Sequence, residues 1–242
     1  MRAFHRKELI NMSESIITAG VPDTLELRLE LIQACRYLSE LGFCIGTWGN
    51  LSIRVEKGTL ITPSRVDYAT MTPDDLVVVS PEGEQVKGQR VPSSELLLHQ
   101  AILKARPDFG ALVHTHSPYA SAIACARKPL PVCVEDMAQI IGGTVNCAPY
   151  VPNGHHKELA ESAAKAIGPN ATAVFLANHG PIVGGRNLAE AVTASRVLEK
   201  AAQVYLLSQP IGGPQIISDE HVTEERHRLL YKYGTERLSQ MK

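Results

Sequence analysis

The chain has 242 residues, 44% of them hydrophobic, enough to bury a substantial core. Its 24 Lys and Arg against 25 Asp and Glu leave a formal net charge of -1, without the cationic excess that condenses onto nucleic acid or anionic lipid; a small-molecule partner is expected, and nucleic acid and membrane are not. The five cysteines form no CxxC pair and are odd in number, which fits reduced thiols in a cytoplasmic protein.

No apolar run approaches the roughly 20 residues that span a bilayer, and Met1 to Lys7 lack the apolar stretch of a secretory signal. Residues 1–22 read as an arm preceding one domain over residues 23–242. From an N-cap at Asp23, the positions Leu27, Leu31, Ala34, Cys35 and Leu38 follow helical spacing as far as Gly42. Gly46 to Val55 turns on glycines and then alternates apolar with polar, and Thr59 to Thr62 follows Gly58, so the two segments read as a hairpin.

Leu76 to Ser80 reads as a buried strand, Pro81 to Glu84 as a turn, and a helix from Ser93 or Ser94 to about Ala105 carries Glu95. A strand from Phe109 ends in His114-Thr115-His116, and a helix runs from Pro118 to Ala126. Short strands are expected near Val132 and Val145, then a helix over His156 to Ile167. Strands at Thr172 to Leu176 and Pro181 to Val183 flank Asn178-His179-Gly180, and helices near Leu188 to Leu207 and Thr223 to Leu238 close the chain. Several strands are joined by loops too short for the crossover that a parallel pair needs, so the expected fold class is α/β with a largely antiparallel sheet and helices on its faces.

His114 and His116 stand two apart at a strand end, where the period of two puts both imidazoles on one face and able to converge on an ion. His179, after the apolar strand Ala173 to Leu176, is a candidate third ligand, and three histidines leave a coordination position open as a catalytic metal site requires. Taken alone, each is more often a polar residue marking a strand end or a hydrogen-bonded loop. Glu95 has a structural reading, a carboxylate near a helix start, and a functional one, a general base or a fourth ligand in the substrate-free state. His99, four residues on, reads as core or as support for the site. Asn50, Ser64, Arg65, Ser93 and Ser94 offer hydroxyls, amides and a guanidinium that suit a phosphate or carboxylate if their loops converge.

In order, Gly46-Thr47-Trp48-Gly49-Asn50-Leu51-Ser52, Thr62-Pro63-Ser64, Pro92-Ser93-Ser94-Glu95, Val113-His114-Thr115-His116 and Asn178-His179-Gly180 resemble the motif series of the class II aldolase/adducin family, over roughly residues 24 to 240. The resemblance implies a three-layer α/β/α sandwich around a mainly antiparallel central sheet, assembled as a homotetramer with active sites between subunits. It implies zinc on His114, His116 and His179, with manganese, cobalt or iron able to take the same site. Glu95 matches the acid/base, and Asn50, Ser64, Ser93 and Ser94 the residues that hold a sugar phosphate. Tyr233 matches a C-terminal tyrosine expected to reach a neighbouring subunit's site and protonate the aldehyde oxygen.

Three positions depart from the family pattern. Trp48 stands where a small residue is common, Arg65 where glycine is common, and Val134-Glu135-Asp136-Met137 lacks a tyrosine found in some aldolases; Glu135 or Asp136 either replaces it or solvates a turn. The activity implied is retro-aldol cleavage of a phosphorylated ketose to dihydroxyacetone phosphate and an aldehyde. Decarboxylation of a phosphorylated 3-oxo sugar acid, with Arg65 as the added cation, is the alternative, followed by a sugar-phosphate epimerase or dehydratase. A scaffold like adducin has no need of three histidines and a glutamate.

Overall fold

In the computed structural model, which describes residues 19–232, Thr24 opens the first helix. Its side chain accepts the Leu27 amide, a cap contributing about 1 kcal/mol. Helix α1 (Leu25–Glu40) then buries Leu31, Ile32, Cys35 and Leu38 on one stripe. The cap expected at Asp23 lies one residue later, because the Asp23 carboxylate is engaged by Arg28 at 2.6 Å. Residues 1–18 of the expected arm lie outside the described residues; beyond them, Val21 bridges to Val55 at the end of the first strand.

Eight strands among the described residues form one sheet: β1 (Asn50–Val55), β2 (Gly58–Ile61), β3 (Val77–Val79), β4 (Gln85–Lys87), β5 (Ala111–His114), β6 (Cys147–Ala148), β7 (Ala173–Leu176) and β8 (Gly180–Gly185). Their spatial order is β4-β3-β2-β1-β5-β8-β7-β6. Every neighbouring pair is antiparallel except β6 with β7, as the short loops led one to expect. The other α-helices named among the described residues are α2 (Leu96–Ala105), α3 (Pro118–Ala126), α4 (Glu135–Ile140), α5 (His156–Ala166), α6 (Leu188–Ser208) and α7 (Asp219–Tyr231).

The strand period of two sorts side chains between the layers. Ala111 and Val113 of β5, with Leu51 and Ile53 of β1, pack under α1 and the start of α6. Ala173 and Phe175 of β7 meet α3, α4, α6 and α7 on that same side. The opposite face carries Leu112, Val174, Leu176 and Ile182 against α2 and α5. This is the three-layer α/β/α sandwich. His114 shares the face of Leu112, so it points toward the layer that contains α2.

Three sequence expectations are corrected here, and one strand is added. Glu95 stands before α2 rather than inside it, with φ -97° and ψ 15° and Leu96 as the first helical residue. The exposed edge strand β4 has no apolar alternation to announce it. Glu135 and Asp136 occupy the first turn of α4, not a turn, where Met137 and Ala138 are buried and Asp136 pairs with Lys200 at 2.6 Å. The last helix begins at Asp219, earlier than Thr223, because Ser218 accepts the His221 amide. Its expected extension to Leu238, and Tyr233, lie outside the described residues.

Candidate active site

The end of β5 and the turn between β7 and β8 bring three imidazoles together. His114 is fully buried at the strand end, and its Nδ1 lies 2.9 Å from the Pro181 carbonyl. A carbonyl only accepts, so Nδ1 carries the hydrogen, and Nε2 is the nitrogen turned to the cluster. His116 Nε2 lies 3.1 Å from His114 Nε2, and one ring nitrogen from each of His114, His116 and His179 falls within 4.8 Å of the others.

Backbone geometry makes this approach possible. Asn178 turns at φ 58°, held by its amide on the Ala124 carbonyl and by Arg127 Nε donating to its Oδ1 at 2.8 Å. Gly180 follows, and a Cβ there would meet the Thr115 carbonyl oxygen at 2.3 Å, so only glycine lets β8 begin against the His114 to His116 segment.

Glu95 closes the cluster: Oε2 is 3.3 Å from His114 Nε2 and Oε1 is 3.3 Å from His179 Nε2. Burial alone would raise its carboxyl, but the His114 and His179 imidazoles and the Asn50 amide, donating to Oε2 at 2.8 Å, reverse this and hold it ionised well below the usual range. Burial, and then the neighbouring imidazoles, bring His116 down to about 3; burial and His114 bring His179 down to about 4. Both are therefore neutral lone-pair donors at neutral pH. Three imidazoles converging beside a carboxylate fit one divalent cation, with a position left for water or substrate.

The anion-binding candidates do converge. Ser64 donates its hydroxyl to the Pro92 carbonyl at 2.9 Å, Ser93 N donates to the Thr62 carbonyl at 3.1 Å, and Pro63 bridges to Pro92. This stitches the loop after β2 to the segment before α2, so that Ser64, Arg65, Ser93, Ser94 and Glu95 line one cavity of about 690 Å³ with His116 and His179. Arg65, at φ 60°, adopts the left-handed conformation that favours glycine and points an exposed side chain with no hydrogen-bond or ion-pair partner among the described residues. Asn50 reaches the cavity, but its side chain is engaged by Glu95 and His99. Trp48 is exposed at the rim, while Glu135 and Asp136 do not line the cavity.

The far wall was not anticipated. Pro149, Tyr150, Val151, His155, His156 and Leu159 face the cavity from the loop before α5 and its first turns. The adjacent His155-His156 pair was the available signal, but only tertiary packing turns this loop toward the site. Arg127, which stacks 5.3 Å from the Tyr150 ring centroid while holding Asn178, was equally silent in the sequence.

Residues 29–206 match the family of the class II aldolase and adducin N-terminal domain. The chain is 38% identical over 211 residues to a 5-methylthioribulose-1-phosphate/5-deoxyribulose-1-phosphate aldolase of Rhodospirillum rubrum, covering 87% of this chain and 92% of that protein. It is 38% identical over 197 residues to a 5-deoxy-D-ribulose 1-phosphate aldolase of Bacillus thuringiensis, covering 81% and 91%. A solved L-fuculose 1-phosphate aldolase superposes with a TM-score of 0.82 at 35% identity, over 86% of this chain and 98% of that one. With this fold, and with a histidine cluster suited to the metal on which class II aldolases depend, the chain belongs to the class II aldolase and adducin family, among members named for carbon–carbon bond cleavage.

Proposed function

We propose that the chain is a zinc-dependent lyase that cleaves a ketose 1-phosphate by retro-aldol reaction into dihydroxyacetone phosphate and an aldehyde. The observation that carries this reading is the ionised Glu95 carboxylate, 3.3 Å from both His114 Nε2 and His179 Nε2 within a cavity also lined by Ser64, Ser93 and Ser94. His114, His116 and His179 would hold the metal. When bound, it supplies Lewis-acid stabilisation of the negative charge that develops on substrate oxygens as the carbon–carbon bond breaks.

The protein's own groups do the rest. Ser64, Arg65, Ser93 and Ser94 anchor the phosphate, which fixes the reacting carbons against Glu95. In the synthetic direction the Glu95 carboxylate takes the proton from the hydroxyl-bearing carbon of dihydroxyacetone phosphate; in cleavage the protonated carboxyl delivers a proton to that carbon, balanced by the proton that the substrate hydroxyl gives up as it becomes the aldehyde carbonyl. The proton on the aldehyde oxygen is assigned to Tyr233, on the resemblance alone. The apolar far wall of Pro149, Val151 and Leu159 and the substrates named for the relatives put 5-deoxy and 5-methylthio ketose phosphates first among those to test.

We further read the enzyme as cytoplasmic and homotetrameric, with its sites between subunits. The free thiols support the first point. The exposed apolar residues Leu25, Leu29, Leu41, Ile45 and Trp48, the last of them lining the cavity, support the second.

The test is release of dihydroxyacetone phosphate from a panel of ketose 1-phosphates by wild type, Glu95→Gln and chelator-treated protein. Release that requires both Glu95 and metal is expected; no release from metal-loaded wild type would sink the reading. One observation favours a second activity, decarboxylation of a phosphorylated 3-oxo sugar acid: the Arg65 guanidinium at the cavity, which has no partner among the described residues. Loss of turnover of acidic substrates alone in Arg65→Ala would select it.

A further inference from the structure

Two fully buried polar side chains stand behind the cavity without lining it: Ser52 and His99. Ser52 lies on β1, on the face opposite Leu51 and Ile53, and His99 lies on α2, one turn after Glu95. Ser52 Oγ is 2.6 Å from His99 Nδ1, His99 Nε2 is 2.6 Å from Asn50 Oδ1, and Asn50 Nδ2 is 2.8 Å from Glu95 Oε2. The chain of contacts runs from the core to the proposed acid/base.

Its hydrogen-bond polarity follows from the outer end. A carboxylate only accepts, so Asn50 presents its NH2 to Glu95 and turns its Oδ1 toward His99. A carbonyl oxygen also only accepts, so His99 Nε2 carries the hydrogen. Burial, followed by the neighbouring His114, keeps His99 neutral by drawing its pKa down to about 3, which leaves Nδ1 as an acceptor for the Ser52 hydroxyl. The opposite tautomer would flip the Asn50 amide and set its carbonyl oxygen against a carboxylate oxygen. Four polar groups in a row thus admit one arrangement that satisfies them all.

We infer that Ser52 and His99 are positioning residues for the proposed proton transfer: together they lock the Asn50 amide with its donor toward Glu95 and so aim the carboxylate between His114 and His179. The inference rests on the reading of Glu95 as the acid/base. A fold alone has no need of this arrangement, since α2 packs its face with Leu98, Ile102 and Leu103, and an orphaned buried polar group costs about 1–3 kcal/mol. The lock leaves the anion-binding serines and the metal-binding nitrogens untouched, so its effect belongs in kcat.

The experiment has two readouts. Long-range ¹H–¹⁵N correlation on zinc-loaded protein with ¹⁵N-labelled histidine reports the His99 tautomer directly, the His99→Gln variant identifying its signals by their loss. The expected result is hydrogen on Nε2 and a bare Nδ1. In parallel, kcat and KM are measured on the ketose 1-phosphate that wild type cleaves. His99→Phe, which orphans Asn50 Oδ1, should lower kcat roughly 10- to 100-fold with KM changed by less than about twofold and zinc content unchanged. His99→Gln, whose amide can still donate to Asn50, should recover most of that loss, and Ser52→Ala should lower kcat more mildly.

Hydrogen on Nδ1 overturns the inference whatever the enzyme cleaves. So does folded His99→Phe with wild-type kcat, a loss confined to KM, or a His99→Gln variant no better than His99→Phe. If His99→Phe does not fold, the tautomer and Ser52→Ala decide. If wild type turns over no ketose phosphate, the aldolase reading fails while the tautomer still decides whether the amide is locked.

Discussion

Glu95 Oε1 lies 3.3 Å from His179 Nε2, joining the residue before α2 to the turn between β7 and β8. The two residues are brought together by the layering: α2 covers the face of the sheet on which β5, β7 and β8 direct Leu112, Leu176 and Ile182, and the strand ends deliver the histidines beneath its first turn. That contact sets what substitutions in the site should do.

Replacing Glu95 by Gln keeps the side chain's shape and its place beside Asn50 but removes the group that carries the proton to and from carbon. Cleavage of a ketose 1-phosphate should fall by about 10²–10⁴-fold, while metal content by elemental analysis stays at the wild-type level. An active Glu95→Gln protein would remove Glu95 from the chemistry.

His116→Ala deletes one of the three converging imidazoles without cutting into the sheet, since His116 lies beyond the end of β5. Zinc affinity should drop by at least about tenfold, a ligand loss costing no less than the loss of an outer partner. The thermal transition of the metal-free protein should move little. Competition with a chromophoric chelator measures the first, and scanning calorimetry the second.

Proton competition at His116 and His179 should be delayed to low pH. Their pKa values are lowered to about 3 and about 4, so they remain neutral as pH falls from 8 to about 5, whereas an ordinary imidazole near 6.5 would protonate across that interval. The imidazole signals of these two residues, followed by NMR in the metal-free protein, should therefore be flat from pH 8 to about 5 and move below that. A midpoint near pH 6.5 for either would contradict the burial argument.

Asp23 accepts both guanidinium donors of Arg28 and also binds Lys87, and the Arg28 and Lys87 partners hold its carboxyl below the ordinary value although burial opposes them. A depressed folded-state pKa means that the stabilisation is present above the unfolded value, about 3.9, and is lost as pH falls through the lower folded value. Asp23→Asn should cost roughly 1–3 kcal/mol at pH 7 and should flatten the acid limb of the stability curve. Urea titrations at pH 7 and pH 3 test both statements; equal losses at the two pH values would reject the assignment.

Much of the site was legible because its signals are local. The strand period of two placed His114 and His116 on one face, and a histidine between an apolar strand and a glycine marked His179. The Pro92-Ser93-Ser94-Glu95 run announced a helix start, although it could not show that Glu95 would sit just outside the helix, facing the imidazoles. The anion loops were recognisable by composition, but their convergence needed the Ser64 to Pro92 and Ser93 to Thr62 hydrogen bonds. Trp48 and Arg65 stood out by type; the φ of 60° at Arg65 is a left-handed conformation that glycine adopts freely.

The residues by themselves determined the α/β class and the antiparallel character of the sheet, and they singled out the three histidines that the fold gathers beside Glu95, because periodicity, loop length and side-chain chemistry are properties of short segments. Only the tertiary structure decided which far wall the cavity has, how Arg127 holds the turn before His179, and that Asn50 is gripped from behind by His99 and Ser52. Those contacts join residues tens of positions apart. Their partners depend on how layers pack, and no local pattern carries that information.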